Sequence, residues 1–300
     1  TTAAMTPAEE AEARAVLGDD RLLERACAVL DDLGVVSGTA DQREAVLLAS
    51  VSPLSDEPIW LAMTAGATGE RFAELRAIAA ITPTDRLVQA SRLTDNALFN
   101  ADPQAFRHKL LILDDVSTIS QPVATALRIL RTRGQLVSSQ VEYFGPTGGM
   151  RTQFTAAHGP LALIAAAPGP IPSPLRPHLL EVPVDESAAQ VARTLAARRR
   201  ALASPALSQH AEQVAARWRR ILSLLKPASV IIPAESEVAL PPIVARSRPY
   251  QDAAFGFIVA SALLHQFQRM RSDGAIVATP ADIARGIRLA TSLAAQHASD

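Results

Sequence analysis

The chain has 300 residues, 48% of them hydrophobic, and a formal net charge of −1. This length and composition support a sizeable core in about two domains, or in one large α/β unit with a lid. A net charge near zero provides no general attraction to nucleic acid or membrane, so such binding requires a local patch. The single cysteine, Cys27, excludes an internal disulfide framework and a cysteine-rich zinc site.

Targeting and metal-binding patterns are absent from the sequence. There is no run of about 18 uncharged apolar residues and no signal-peptide pattern at Thr1–Met5. We therefore expect a cytoplasmic protein without a membrane partner. The six histidines are scattered without the spacings typical of metal ligands, and we expect no metal site.

The N-terminal part of the chain is predicted to be helical. Thr6 followed by Pro7 and two early acids is typical of a helix N-terminus. Apolar residues at helical spacing extend the prediction, and Gly34 ends one helix. The predicted helices span 6–17, 20–33 and 40–51. We assign residues 1–38 as an N-terminal helical segment.

Alternating strands and helices follow, a pattern that favours a mostly parallel sheet. One connecting helix is predicted over Gln121–Arg133. The turn-forming run Gly145–Gly149 separates two strand candidates and is a strong hairpin signal. We assign residues 39–186 as the α/β core. The predicted strands are 59–63, 86–90, 109–113, 136–141, 152–156, 161–165 and 179–184.

The C-terminal part is predicted to be helical again. Two amphipathic helices are separated by Ser204-Pro205, and a proline-rich stretch follows them. We group residues 187–245 as a helical insertion with a linker, and residues 246–300 as a helical lid. The predicted helices span 187–203, 207–225, 250–271 and 280–296.

The segment Ala62–Phe72, with the sequence A-M-T-A-G-A-T-G-E-R-F, has the setting of a phosphate-binding loop. It lies between a predicted buried strand and a predicted helix, where backbone N–H groups approach phosphates at a helix N-terminus. A working loop ends in Gly-Lys-Ser/Thr, whose Lys contacts the β/γ-phosphates and whose hydroxyl binds Mg²⁺. This loop contains Gly66 and ends in Gly69-Glu70-Arg71. The sequence therefore favours a nucleotide-hydrolase fold and argues against hydrolysis.

A second hydrolase-like feature is a predicted buried strand that ends in Asp114 and Asp115. In the Walker B arrangement, the first acid of such a pair holds Mg²⁺ and the second orients the attacking water. A strand followed by an acidic helix cap has the same sequence pattern. The position of the pair about 45 residues after the degenerate loop favours the Walker B interpretation.

Several short blocks occur in a fixed order along the chain. They include Asp20–Leu23, Arg107–Lys109, Thr147–Met150, His158–Pro160 and Leu263–Arg269. In residue identity, order and spacing, these blocks resemble the ATPase/helicase-like module of mobile-element primase–helicase proteins, an AAA+ branch near the MCM helicases. The resemblance covers about residues 18 to 295.

This resemblance implies an AAA+-like P-loop core with a parallel sheet, a pre-sensor-type β-hairpin, a helical insertion and a C-terminal helical lid. Glu70 then falls on the Lys of the loop and Arg71 on its metal-binding Ser. Asp114 and Asp115 match the Walker B acids. The polar sensor position falls within Ala165–Ala167, so three functional groups are missing together and hydrolysis is expected to have lapsed.

The resemblance also implies positions for arginines. The arginine finger falls near His178, with Arg176 close by, and Arg246 or Arg248 matches a lid arginine. DNA contact is implied for Arg151 at the hairpin turn. The charge run on the paired helices is a further candidate for DNA or subunit contact, and Arg198, Arg199 and Arg200 are its densest part. The alternative is a solvated hairpin tip and a solvated helix face.

The sequence thus predicts a catalytically inactive or nearly inactive helicase-like AAA+ protein of DNA replication or mobile elements. It would act by binding DNA, or by assembling with itself or with an active paralogous subunit. An active DNA-dependent ATPase with an atypical loop is one alternative, and an interaction or regulatory protein that keeps only the fold is another. We expect no cofactor. ATP and Mg²⁺ would be ligands only if the degenerate loop still binds them.

Overall fold

The computed structural model describes residues 5–36, 38–64, 71–95, 97–143, 150–185 and 187–298. Its centre is a five-stranded sheet in the order β2-β3-β6-β1-β7, and every neighbouring pair is parallel. The strands are β1 Trp60–Thr64, β2 Leu87–Ala90, β3 Lys109–Leu113, β6 Leu161–Ala167 and β7 Leu180–Pro183. After β1 the chain crosses to β2 at one edge of the sheet, and the next strands, β3 and β6, lie progressively nearer to β1. The last strand, β7, pairs with β1 on its opposite side. The order therefore reverses at β1.

The three central strands, β1, β3 and β6, are short apolar runs that are buried on both faces, as expected of a parallel sheet covered by helices, whereas the edge strands β2 and β7 are partly buried. Alternate residues of β1 point to opposite layers. Leu61 and Met63 belong to the buried cluster on one face, and Trp60 and Ala62 to the cluster on the other. The Trp60 indole Nε1 donates to the Leu161 carbonyl at 2.5 Å, which satisfies its buried polar atom.

Helices flank the sheet on both sides. Capping boxes begin three of them, at Thr6 with Glu9, Thr39 with Gln42 and Thr279 with Asp282. The helices are α1 Pro7–Leu17, α2 Leu22–Asp32, α3 Ala40–Val51, α4 Arg71–Ile81, α5 Gln121–Arg133, α6 Ala188–Ala203, α7 Pro205–Ser223, α8 Pro242–Ala245, α9 Arg248–Leu264 and α10 Pro280–His297. The predicted α/β class and parallel sheet are thereby confirmed.

The predicted hairpin is confirmed as two antiparallel strands that stand apart from the central sheet. These are β4 Gln135–Tyr143 and β5 Met150–His158, which pair in register from Gln135 with His158 to Tyr143 with Met150. They lie between α5 and β6 along the chain. The turn residues 144–149 lie outside the described residues.

The two faces of the sheet carry different layers. On one face, α5 and the base of the hairpin pack with Leu98 and Phe106. On the other face, a single buried cluster contains residues of α1 to α4, α7, α9 and α10. The N-terminal helices and the predicted lid therefore share one core with the sheet.

The C-terminal region differs from the predicted all-helical lid. The helix predicted over 250–271 ends at Leu264, and three short strands form a second sheet in the order β8-β10-β9. They are β8 Val230–Ile231, β9 Arg271–Ser272 and β10 Ala275–Val277. Asp273 and Gly274 connect β9 to β10 with φ of 50° and 84°. This is the Asp-Gly signature of a two-residue hairpin, and the helix predicted up to residue 271 did not take it into account.

Candidate functional site

The carboxyl ends of the parallel strands form one edge of the sheet, here called the carboxyl edge. In open parallel sheets, ligands bind in the crevice at this edge, where the strand order reverses. The reversal lies at β1, so the chain after Thr64 is the expected position of a phosphate loop. Residues 65–70, and with them the predicted Gly66, Gly69 and Glu70, lie outside the described residues. Arg71 begins α4, and its side chain also lies outside the described part.

Asp114 and Asp115 follow β3 directly and therefore lie at the carboxyl edge, as predicted. Their strand is not adjacent to β1, because β6 lies between β3 and β1. Two strand spacings of about 4.8 Å separate β3 from β1. The carboxylates thus lie at the predicted edge of the sheet, on a strand that is not adjacent to β1.

The hydrogen bonds of the two carboxylates differ. Asp115 Oδ1 accepts from the backbone N–H of Ser117 at 2.8 Å and from its hydroxyl at 2.6 Å, which caps the short 3₁₀ turn Val116–Thr118. Asp114 Oδ2 accepts from the Ser91 hydroxyl at 2.6 Å. Asp115 therefore functions locally as an acidic cap, which is the alternative that the sequence left open.

The predicted sensor position carries no polar side chain. Ala165, Ala166 and Ala167 form the carboxyl end of β6, and all three are buried. After β6 the chain passes close to the turn that Asp115 caps. A Cβ atom at Gly169 would lie 3.1 Å from the Ser117 hydroxyl oxygen. The edge between β3 and β6 is therefore closely packed.

The arginine run divides into two groups. On α7, Arg217 pairs with Glu12 at 2.6 Å and Arg220 pairs with Glu9 at 2.9 Å. On α6, by contrast, the side chains of the triplet Arg198–Arg200 are exposed and form no ion pair among the described residues. Arg151 lies in β5, and its side chain is outside the described part. The available positive charge is thus concentrated on α6.

The amino ends of the strands border a cleft of about 900 Å³, here called the amino-edge cleft. Residues just before four strands line it: Pro58, His108, Pro160 and His178. Arg248 at the start of α9 also lines it. This position does not fit a lid arginine, because the five residues of β1 place the carboxyl edge about 16 Å away.

The amino-edge cleft is strongly polar and combines both charge signs. It contains three arginines, three histidines and three acids: Arg107, Arg131, Arg248, His108, His158, His178, Asp56, Glu57 and Asp252. The sequence predicts other roles for His178 and Arg248, and no local pattern in it marks the cleft. Arg131 in the last turn of α5 has the pattern of an ordinary helix-terminal cation. Only the fold brings it beside His178.

Across the ranges that the structure describes, no three His, Cys, Asp or Glu side chains group as metal ligands. Within the same ranges, no helix has the length and apolarity required to cross a bilayer. Neither a protein-family model nor a curated protein matches the sequence. The fold itself defines an α/β protein whose sheet is compatible with a Rossmann-like or P-loop-like core.

Proposed function

We propose that this chain is a P-loop-like protein that does not hydrolyse nucleotide and acts by binding. The observation that carries the proposal is the Asp115 carboxylate, whose Oδ1 accepts from the Ser117 backbone N–H and hydroxyl, so that the side chain is held as the cap of a 3₁₀ turn. The loop sequence supports it, since Glu70 and Arg71 replace the Lys and the Ser/Thr that contact phosphate and Mg²⁺. These residues do not fit hydrolysis of Mg-ATP.

The magnitude of the expected defect is large. Removing one preorganised charge at a developing transition state costs roughly 3–4 kcal/mol, which is a factor of about 10² to 10³ in rate. A carboxylate in place of the Lys adds repulsion with the triphosphate at short range. The buried alanines at the end of β6 supply no compensating polar group.

The biological role that we propose follows the resemblance of the sequence blocks to helicase-like AAA+ modules. The protein would serve DNA replication or a mobile element as a structural subunit, assembling with copies of itself or with an active paralogue. A regulatory protein that keeps only the fold is the competing proposal, and DNA binding separates the two. The triplet on α6, Arg198–Arg200, favours DNA contact because no acid neutralises it among the described residues.

The first prediction is that the purified protein releases no phosphate from Mg-ATP above background, with or without single-stranded DNA. The measurement is a phosphate-release assay on the wild type beside Asp114→Ala, which removes the acid that Ser91 contacts. Equal, background-level rates are expected from the two proteins. Turnover that disappears in Asp114→Ala would establish the active ATPase with an atypical loop instead.

A further inference from the structure

The amino-edge cleft contains a guanidinium that the fold leaves without a partner. Arg131 lies in the last turn of α5, and its Nε is buried with no hydrogen-bond partner. No ion pair within 4.0 Å reaches this side chain among the described residues. Burial without compensation is costly for a cation, because water is removed and nothing replaces its hydrogen bonds. Burial also lowers the pKa of Arg131, while the more distant Asp252 and Glu57 raise it.

The surroundings of Arg131 are positive on the side of His178. Burial lowers the pKa of His178, and the charges of Arg131, Arg128 and Arg248 lower it further. His178 is therefore neutral near pH 7 and has a donor or an acceptor to offer a ligand. Three guanidinium groups acting on one imidazole define a local positive potential in a protein whose net charge is −1.

The opposite wall of the cleft is acidic. Asp56 and Glu57 precede β1, are exposed, and form no ion pair or hydrogen bond within the described part of the chain. Asp252 pairs with Arg248 across one helical turn of α9 at 3.7 Å. These carboxylates repel a polyanion such as nucleic acid but leave room for a single anionic group beside Arg131.

We propose that the amino-edge cleft binds a small molecule through one oxyanion group, a phosphate or a carboxylate, held by Arg131. A guanidinium suits both because its fork of N–H donors matches their oxygen geometry in a bidentate contact. His178 supplies a further contact, and the acidic wall faces a neutral or cationic remainder of the ligand. The volume of about 900 Å³ is within the range of small-molecule sites. This site is separate from the carboxyl edge and does not depend on the function proposed there.

The test compares inorganic phosphate, acetate and chloride at equal ionic strength, with binding followed by calorimetry and by the thermal midpoint. We expect phosphate or acetate, but not chloride, to raise the midpoint of the wild type, and the tighter of the two identifies the oxyanion. Arg131→Gln should weaken that binding about tenfold or more, the loss of one charge-assisted contact. Arg133→Gln is the matched control, because Arg133 is an exposed arginine of the same helix and does not line the cleft. It should bind like the wild type.

Ligand-free stability separates a binding role from a structural one. Arg131→Gln removes an unpaired, partly buried charge, so without anion the variant should melt at or above the wild-type temperature. The variant Asp252→Asn should bind the anion more tightly than the wild type, because the substitution removes a negative charge from the cleft without altering Arg131. This second variant tests the proposal if Arg131→Gln does not fold.

Two results would overturn the proposal. One is a wild type whose response to phosphate and acetate equals its response to chloride. The other is an oligonucleotide whose binding is weakened by Arg131→Gln more strongly than the binding of either small anion. That result would assign the cleft to nucleic acid.

Discussion

Asp282 is the most completely hydrogen-bonded carboxylate described in this fold. It is fully buried at the start of α10, where it accepts two hydrogen bonds from the Arg269 guanidinium at 2.8 and 2.9 Å. The Ser261 hydroxyl donates at 2.6 Å, and the backbone and hydroxyl of Thr279 donate at 2.9 and 2.7 Å. One side chain thereby joins α9, the loop after it and the N-terminus of α10.

The second prediction is that Asp282→Asn strongly destabilises the protein. The amide keeps the shape but leaves Arg269 as a buried cation without its anion, for which losses of about 3–5 kcal/mol are typical. Denaturant unfolding measures the change. The control is Glu10→Gln, which breaks the exposed Glu10–Arg14 pair and should cost less than about 0.5 kcal/mol. Similar losses in the two variants would contradict a special role for Asp282.

The third prediction concerns acid stability. Burial raises the pKa of Asp282, but the hydrogen bonds from Arg269, Ser261 and Thr279 outweigh it and hold the pKa well below the ordinary 3.8. A carboxyl whose pKa is lower in the folded state stabilises the fold above its unfolded pKa, and this stability is lost as the pH falls toward the folded pKa. Wild-type stability should therefore decline below about pH 4. The decline should be shallower in Asp282→Asn when unfolding free energies are measured from pH 6 to pH 2.

The fourth prediction concerns Gly286, where α10 crosses α9. A Cβ atom at this position would lie 2.6 Å from the Ala254 carbonyl oxygen and 2.9 Å from the Ile258 backbone nitrogen. Gly286→Ala should therefore cost about 1–3 kcal/mol by overpacking, despite the better helix propensity of alanine. Gly18→Ala is the control, because its Cβ would be 3.5 Å from the nearest atom and its φ is −88°. A stable Gly286→Ala variant would mean that the two helices are not this close.

At the scale of elements, α6 differs from the other long helices because it adds no residue to either buried cluster. Its arginine triplet is exposed, whereas Arg217 and Arg220 of α7 pair with acids of α1. Consecutive helical residues point about 100° apart, so one strand of nucleic acid can contact at most two of the three. The charge run that looks continuous in the sequence is thus two surfaces with different roles.

The fifth prediction is that replacing Arg198, Arg199 and Arg200 by Gln weakens single-stranded DNA binding and its salt dependence. Two lost phosphate contacts reduce the slope of log K against log salt by about 1.4. Anisotropy titrations over a salt series measure this slope. The control replaces Arg217 and Arg220 by Gln, and it should leave the slope unchanged because their charges are already paired. No binding by the wild type at low salt would favour the interaction-protein alternative.

At the scale of the whole molecule, the four segments assigned from the sequence meet in one core. Leu22, Leu61, Trp218 and Phe257 come from the four segments in turn, and all belong to the cluster on one face of the sheet. Trp60 belongs to the cluster on the other face. The buried sheet connects the two clusters, since alternate residues of β1, β3 and β6 contribute to both. We therefore regard the chain as one cooperative structure and not as a core with a detachable lid.

Much of this structure could be predicted from local sequence. Apolar runs with turn signals placed the strands to within one or two residues at most ends, and β3 and α5 match their predictions fully, because propensity and patterning act over a few neighbours. The sequence also determined that Gly69 is followed by Glu70 and Arg71, whereas a working phosphate loop has Lys and Ser/Thr after that glycine. Strands of two or three residues, such as β8 and β9, are too short for any pattern to mark.

Only the tertiary structure decided which of these residues meet. It inserted β6 between β3 and β1, engaged Asp115 in a cap, and paired Arg217 and Arg220 of α7 while leaving the triplet Arg198–Arg200 of α6 exposed. It also brought Arg131 and His178 to the same cleft at the amino edge. The physical reason is that burial, strand order and ion pairing depend on contacts between residues far apart in the chain. A one-dimensional pattern does not contain those contacts.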